Sequence, residues 1–227
     1  ITLVGVGHVM DITDQIFLVI SQRQPDAVCI ELDRARYHAL KNRVHGGKAP
    51  LAFKMLAGFQ RGLAKKYGTV VGGEMIAAID AAKVHNARVF GIDMDARLMW
   101  AKMWKKLSFW QRTKIMFSSL AGIFTPKQMI EDELDAFEEN SEDYLGMIEK
   151  EFPAIKEILI DERNNFMVRN IIKIGEKHQN IVAFVGDAHV VGMARQLGCD
   201  TEVIRLKKLR EMKAESNSSF SIKFGGG

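Results

Sequence analysis

Two histidines stand in the same short setting at opposite ends of the chain, and that pairing is the strongest chemical signal in the sequence. Near the start, Leu3-Val4 runs into Gly5-Val6-Gly7-His8. Near the other end, Ile181-Val182-Ala183-Phe184-Val185 runs into Gly186-Asp187-Ala188-His189. Each is an apolar strand followed by Gly-x-x-His and a segment able to begin a helix. Glycine permits a sharp turn and close approach to a ligand, so each turn can hold an imidazole at the carboxyl edge of a strand, where open α/β sheets bind ligands. Glu31, at the end of the apolar run Ala27-Val28-Cys29-Ile30, belongs to the same kind of edge. Two imidazoles and a carboxylate suit a divalent metal such as zinc, manganese, cobalt or iron with one position left for water. The metal lowers the pKa of that water, and a nearby Glu can accept its proton. For either histidine alone, a structural turn residue is the competing reading.

Other residues carry weaker signals. Glu74 opens the segment Glu74–Asn86, where a negative charge suits a helix start; by residue type it is a helix-start residue. Arg163 can donate a fork of hydrogen bonds to a carboxylate or a developing oxyanion, but Asp161 and Glu162 beside it suggest an exposed local pair. Asp93 either orients a ligand histidine from behind or caps the next helix. His38, His45, His85 and His178 fall in polar or helical surroundings and read as surface residues. No Gly-x-Ser-x-Gly elbow, Walker loop or dinucleotide fingerprint occurs.

These residues need elements to position them. Strands are expected at Leu3–Val4, Ala27–Ile30, Arg88–Ile92, Ile181–Val185 and Thr201–Leu206. Helices between them carry apolar residues at helical spacing: Ile16, Val19 and Ile20 after a cap at Asp11 or Thr13, and Leu56, Phe59 and Leu63 within Pro50–Tyr67. Strand–helix alternation predicts an α/β fold with a mixed or mostly parallel central sheet flanked by helices. Helices are expected from Pro153 to about His178 and over Val191–Leu197. Met94 to about Phe152 reads as a helical insertion into a catalytic domain spanning 1–206, with 207–227 as a basic, Ser- and Gly-rich tail.

Within the insertion, Arg97–Lys114 holds six basic residues, no acidic ones and all three tryptophans. Trp with Lys and Arg suits a membrane surface. The stripe Met99, Trp100, Met103, Trp104 and Leu107 equally suits a core, a partner helix or a dimer face, and core or partner helix is the favoured reading. Glu131–Glu151 holds ten acids and one lysine and reads as a solvated helix face.

The 227 residues suffice for one sizeable core. Net charge is +4 and the pI about 9.0, yet no nucleic-acid fingerprint or long basic run accompanies them, so nucleic acid is not an expected partner. Cys29 and Cys199 read as small core residues in a reducing compartment. No run of about 18 apolar residues is present. The chain begins without Met, inside an apparent strand, and is expected to belong to a longer protein whose flanks could hold membrane segments.

Taken together, the sequence resembles the TraB/PrgY pheromone-shutdown family, in the wider group of Tiki proteases and erythromycin-esterase/ChaN-like proteins. Leu3–Val9, Pro25–Tyr37, Gly73–Ala78, Gly91–Arg97, Asp161–Asn164 and Gly186–Gly192 carry the likeness, in family order. The resemblance implies an α/β fold around a metal site and a metal-dependent peptidase acting on short, signalling-type peptides. His8, Glu31 and His189 match as metal ligands, for manganese, cobalt or zinc. Glu74 matches as ligand or general base and Arg163 as oxyanion stabiliser, with Asp93, Arg97 and Glu162 around them. It also implies a domain tied to a membrane through segments outside this stretch, on the reducing, cytoplasmic side. Met94 departs from the arginine that relatives often carry there. Two rivals remain: a non-enzymatic peptide- or ligand-binding regulator, and a metal-independent ester hydrolase using His8 as base.

Overall fold

The structure, a computed structural model, describes residues 1–7, 12–41, 72–113, 146, 150, 153–198 and 200–212. His8, the Pro50–Tyr67 segment, Cys199, residues 213–227 and most of Glu131–Glu151 lie outside the described residues.

Five short strands form one sheet: β1 (Thr2–Val6), β2 (Ala27–Ile30), β3 (Arg88–Gly91), β4 (Ile181–Gly186) and β5 (Glu202–Ile204). Their order is β3-β2-β4-β1-β5 and every pairing is parallel. The expected α/β architecture is present, and its sheet is wholly parallel among the described residues. β4 inserts between β1 and β2, pairing Val6 with Gly186 on one side and Ile30 with Phe184 on the other. The two most distant glycine turns and Glu31 are thereby brought to one edge.

The central strands β2 and β4 are apolar throughout because helices cover both faces. Alternation sorts their side chains. Val4, Val6, Val28, Ile30, Val182 and Phe184 face one core. Leu3, Ala27, Cys29, Ile181, Ala183 and Val185 face the other. The first core is closed by α1 (Thr13–Arg23), through Ile16, Val19 and Ile20, and by α3 (Gly73–Val84). α3 leaves only the stripe of Ile76, Asp80, Lys83 and Val84 toward solvent; its four alanines let α1 and the sheet approach it from two sides. The second core is closed by α6 (Glu162–Gly175) and α7 (Asp187–Leu197). α6 buries Asn164, Met167, Val168 and Ile171, the i, i+3, i+4, i+7 stripe of a surface helix. Phe184, fully buried at the centre, would cost about 3–5 kcal/mol if cut to Ala.

Two boundaries differ from the sequence reading. The helix expected from Pro153 divides into a short α5 (Pro153–Lys156), a π-turn (Glu157–Asp161) and α6. α7 begins at Asp187, not Val191, so His189 sits in a first helical turn rather than in a loop. α2 (Arg34–Lys41) follows the Glu31 edge, α4 (Ala96–Lys106) lies within the expected helical insertion, and α8 (Leu206–Glu211) follows β5. α4 is apolar on two sides. Met99, Trp100, Met103 and Leu107 pack with Ile158 in a small satellite core, whereas Leu98, Trp104, Phe109 and Trp110 are exposed.

Candidate functional site

Parallel topology places the ends of β2 and β4 and the first turns of α6 and α7 together at the carboxyl edge of the sheet. Glu31 directly follows β2, and its backbone N–H donates to the Phe184 carbonyl at 3.1 Å. This fixes its side chain beside the β4–α7 turn, where the Gly186 N–H donates to Oε2. A Cβ at Gly186 would fit tightly, 3.3 Å from Oε2 of Glu31 and in ordinary contact with Cδ2 of His189 at 3.6 Å. His189 and Glu31 are both buried, at 4% and 8% exposure, and Nε2 of His189 lies 3.6 Å from Oε1 of Glu31. On its other side, Nδ1 of His189 meets Oδ1 of Asn164 at 2.7 Å.

Arg163 is the hub of the cluster. Its Nη2 donates to Oε1 of Glu31. Nε donates to Oδ1 of Asp93 at 3.0 Å and Nη2 to Oδ2 at 3.0 Å. Nη1 donates to the Leu159 carbonyl at 3.2 Å, an acceptor supplied by the π-turn. Such bulges recur at functional sites because they re-aim local groups. Burial penalises the Arg163 charge, but Glu31 and Asp93 outweigh that penalty and hold the guanidinium protonated above its ordinary range. Asp93 in turn accepts from Nη2 of Arg36 at 2.8 Å and from the Met94 N–H at 2.8 Å. Arg36 also donates through Nε to Asp33 at 2.6 Å. Among the described residues this chain of contacts joins three carboxylates to two guanidiniums, leaving one negative charge in excess.

The expected residues divide accordingly. Glu31, His189, Arg163 and Asp93 come together, and Arg163 is not the exposed local pair that Asp161 and Glu162 suggested. Asp93 ties Arg163 and Arg36 rather than capping α4; Asp95 caps that helix by accepting from the Arg97 N–H at 2.8 Å. Glu74 is buried at 6% exposure in the first turn of α3. That helix runs down to β3, so its start lies at the same carboxyl edge. Arg97 does not join: it is exposed and paired with Asp95, the two side chains holding each other charged. Glu162 points the other way too, to Lys102 at 2.9 Å. His178, expected at the surface, is mostly covered; it stands edge-on to Phe90 at 5.3 Å and 3.7 Å from Asp26.

Sequence reasoning missed Asn164, Arg36 and Asp33. The i,i+3 spacing of Asp33 and Arg36 signals their own pair, but nothing local points to Asp93. It also read Gly5 only as a turn glycine and left Asp187 without a role. A Cβ on Gly5 would lie 2.1 Å from Oδ1 of Asp187. That carboxylate accepts from the Leu206 N–H at 2.8 Å and from Nη2 of Arg205 at 2.7 Å, tying the β4–α7 turn to the β5–α8 connection.

Among the described residues no three His, Cys, Asp or Glu side chains form a metal-holding group. Two of the expected donors are nevertheless adjacent. An imidazole nitrogen and a carboxylate oxygen 3.6 Å apart can both reach one ion at about 2.1 Å. The donor set therefore fits in part, and His8 lies outside the described residues.

A model of the TraB/PrgY/gumN family matches residues 1–198. The chain is also similar to the uncharacterized protein MJ1365 of Methanocaldococcus jannaschii, 26% identical over 231 residues, which cover 94% of this chain and 58% of that protein. The chain thus spans little more than half the length of that curated relative. Among the described residues no helix is long and apolar enough to cross a membrane.

Proposed function

From the premise that the chain belongs to the TraB/PrgY/gumN family, we propose a metal-dependent peptidase that hydrolyses short peptides at the carboxyl edge of the sheet. The observation that carries this reading is the buried approach of His189 Nε2 to Glu31 Oε1 at 3.6 Å. A buried imidazole nitrogen and carboxylate oxygen this close are a donor pair that one divalent metal could take, beside the Arg163 guanidinium that already meets Glu31. His189 and Glu31, completed by His8, would hold manganese, cobalt or zinc. When bound, such an ion supplies a water acidic enough to ionise near neutrality and a Lewis acid for a carbonyl oxygen.

The chain's own residues do the rest. Glu74, as ligand or base, stands at a helix start on the same edge and accepts a proton from water. Arg163 is chiefly a clamp: Nε, Nη1 and Nη2 all donate to protein groups. Four of its five N–H groups are so used, which leaves one Nη1 N–H to meet an oxyanion. Burial of the cluster strengthens each of these contacts at the moment charge develops. In the longer protein, the domain is held at a membrane by segments beyond this stretch, on the reducing side.

A metal-independent hydrolase is the second reading, because Arg163 already meets the charge of Glu31. One experiment separates the two. Metal content of the purified chain is measured, with cleavage of a fluorogenic peptide library before and after chelation. Cleavage lost on chelation and restored by one metal supports the peptidase. Cleavage that survives chelation supports the second reading. Stoichiometric metal and tight peptide binding without cleavage would replace both with a binding regulator.

A further inference from the structure

Among the described residues, the buried stripe of α6 is apolar except at its first position. Asn164 occupies the first position of the α6 stripe that continues through Met167, Val168 and Ile171, and it is 2% exposed. A buried amide in an otherwise apolar stripe costs stability unless its polar atoms are met. Its Oδ1 lies 2.7 Å from Nδ1 of His189. Its Nδ2 occupies the space where residue 192 would carry a side chain: a Cβ on Gly192 would stand 2.4 Å from that nitrogen. α7 has therefore given up a side chain at Gly192, one turn beyond His189, to admit the Asn164 amide.

From this juxtaposition we infer that Asn164 is a positioning residue that fixes the tautomer of His189. An amide oxygen can only accept, so it holds the proton on Nδ1 and leaves Nε2 with a lone pair directed at Oε1 of Glu31, 3.6 Å away. Without that acceptor, the Glu31 carboxylate draws the imidazole proton to Nε2, and the nitrogen facing the site becomes a donor. Consecutive residues of one helix thus act on the two halves of the site, Arg163 holding the carboxylate and Asn164 orienting the imidazole. Buried partners of this kind govern the ligand quality of histidines. The inference rests on the metal reading only in taking His189 as the nitrogen donor; the proton position itself can be read without metal or turnover.

The test is the ring-nitrogen spectrum of His189 in the metal-free full chain, labelled with nitrogen-15, at a pH where imidazole is neutral. A His189→Asn variant identifies the resonances. The wild type is expected to show a single tautomer, protonated on Nδ1. Asn164→Asp keeps an acceptor in place and retains that tautomer, whereas Asn164→Leu, close in size but apolar, moves the proton to Nε2. Gly192→Ala never touches the imidazole; it displaces the amide and yields a mixture of tautomers. It also tests the inference should the leucine variant fail to fold. Titrated with manganese, cobalt or zinc alone, Asn164→Leu should bind about ten- to a hundredfold more weakly than the wild type, with Asn164→Asp close to wild type. A wild-type proton on Nε2, or an unchanged tautomer in Asn164→Leu or Gly192→Ala, overturns the inference even if metal binding and cleavage stand.

Discussion

The two edges of the sheet are stitched with similar residue types and differ most in how deeply their carboxylates are buried. At the amino edge, Asp26 accepts the Gln179 and Asn180 N–H groups at 3.1 Å each, and Asn180 reaches back to the Gln24 carbonyl at 3.1 Å. Arg23 pairs with Glu202 across the same edge. These side chains remain substantially exposed, at 48% for Asp26, 36% for Arg23 and 41% for Glu202. At the carboxyl edge the corresponding figures are 7% for Glu31, 2% for Asp93 and 14% for Arg163. Exposed pairs close loops at little cost. Buried ions forfeit hydration worth several kcal/mol each and recover it only through mutual contact. The amino edge shows that the fold can be tied without buried charge, so the charge at the carboxyl edge points to function rather than to holding the sheet together.

The comparison breaks first at Arg163. Arg163→Met takes the shared guanidinium from Glu31 and Asp93, leaving Asp93 its contact with Arg36, and should destabilise by about 3–5 kcal/mol, measured as a fall in the urea midpoint. Adding Glu31→Gln and Asp93→Asn should return most of that loss, because neutral groups need no counter-charge. If the triple variant is no more stable than the single one, the cost lies in packing and the electrostatic contrast fails.

Gly5→Ala has a smaller effect. The new Cβ must displace the Asp187 carboxylate from Leu206 and Arg205, for a cost of about 1–3 kcal/mol. Circular dichroism should show the sheet retained with a lowered thermal midpoint.

At the amino edge, Arg23→Ala should cost no more than about 1 kcal/mol. Arg23 leads in holding the Glu202 carboxyl below its usual range, helped by Thr2 and opposed by partial burial. Its folded pKa is therefore lower than its unfolded one. The pair contributes stability above the ordinary carboxylate range and loses it as pH falls through the folded value. The difference in urea midpoint between wild type and Arg23→Ala should be present at neutral pH and vanish in acid. A difference that persists or grows in acid would show that Arg23 acts through something other than Glu202.

Between the edges lies Cys29, midway along β2, whose thiol is pushed up to about 12 by burial. In the native chain it should resist thiol reagents at neutral pH and react once unfolded. Rapid native labelling would show that the sheet opens locally.

Much of this is legible in the sequence, for physical reasons. Buried parallel strands are continuous apolar runs, so Ala27–Ile30 and Ile181–Val185 announce themselves, and Gly-x-x-His marks the turns that follow. Glu31 and His189 stand out because each lies next to such a run. Strand order is not legible: nothing in β4 says that it inserts between β1 and β2, yet that insertion makes the site. The roles of Arg163 are hidden for the same reason. Its acidic sequence neighbours offer local partners, whereas its true partners Glu31 and Asp93 are 132 and 70 residues away. Asn164 falls within a family motif, but only the pairing of α6 with α7 shows what its amide meets. The motif around Arg97 draws that residue into the expected site, and helix geometry carries it outward to Asp95 instead.

The most direct test of the carboxyl-edge site is calorimetric titration of the chelated chain with manganese, cobalt and zinc, in wild type, His189→Ala and Arg23→Ala. The account predicts one tight site for a preferred ion, lost in His189→Ala and unchanged in Arg23→Ala. Equal binding in all three proteins, or none in the wild type, would contradict it.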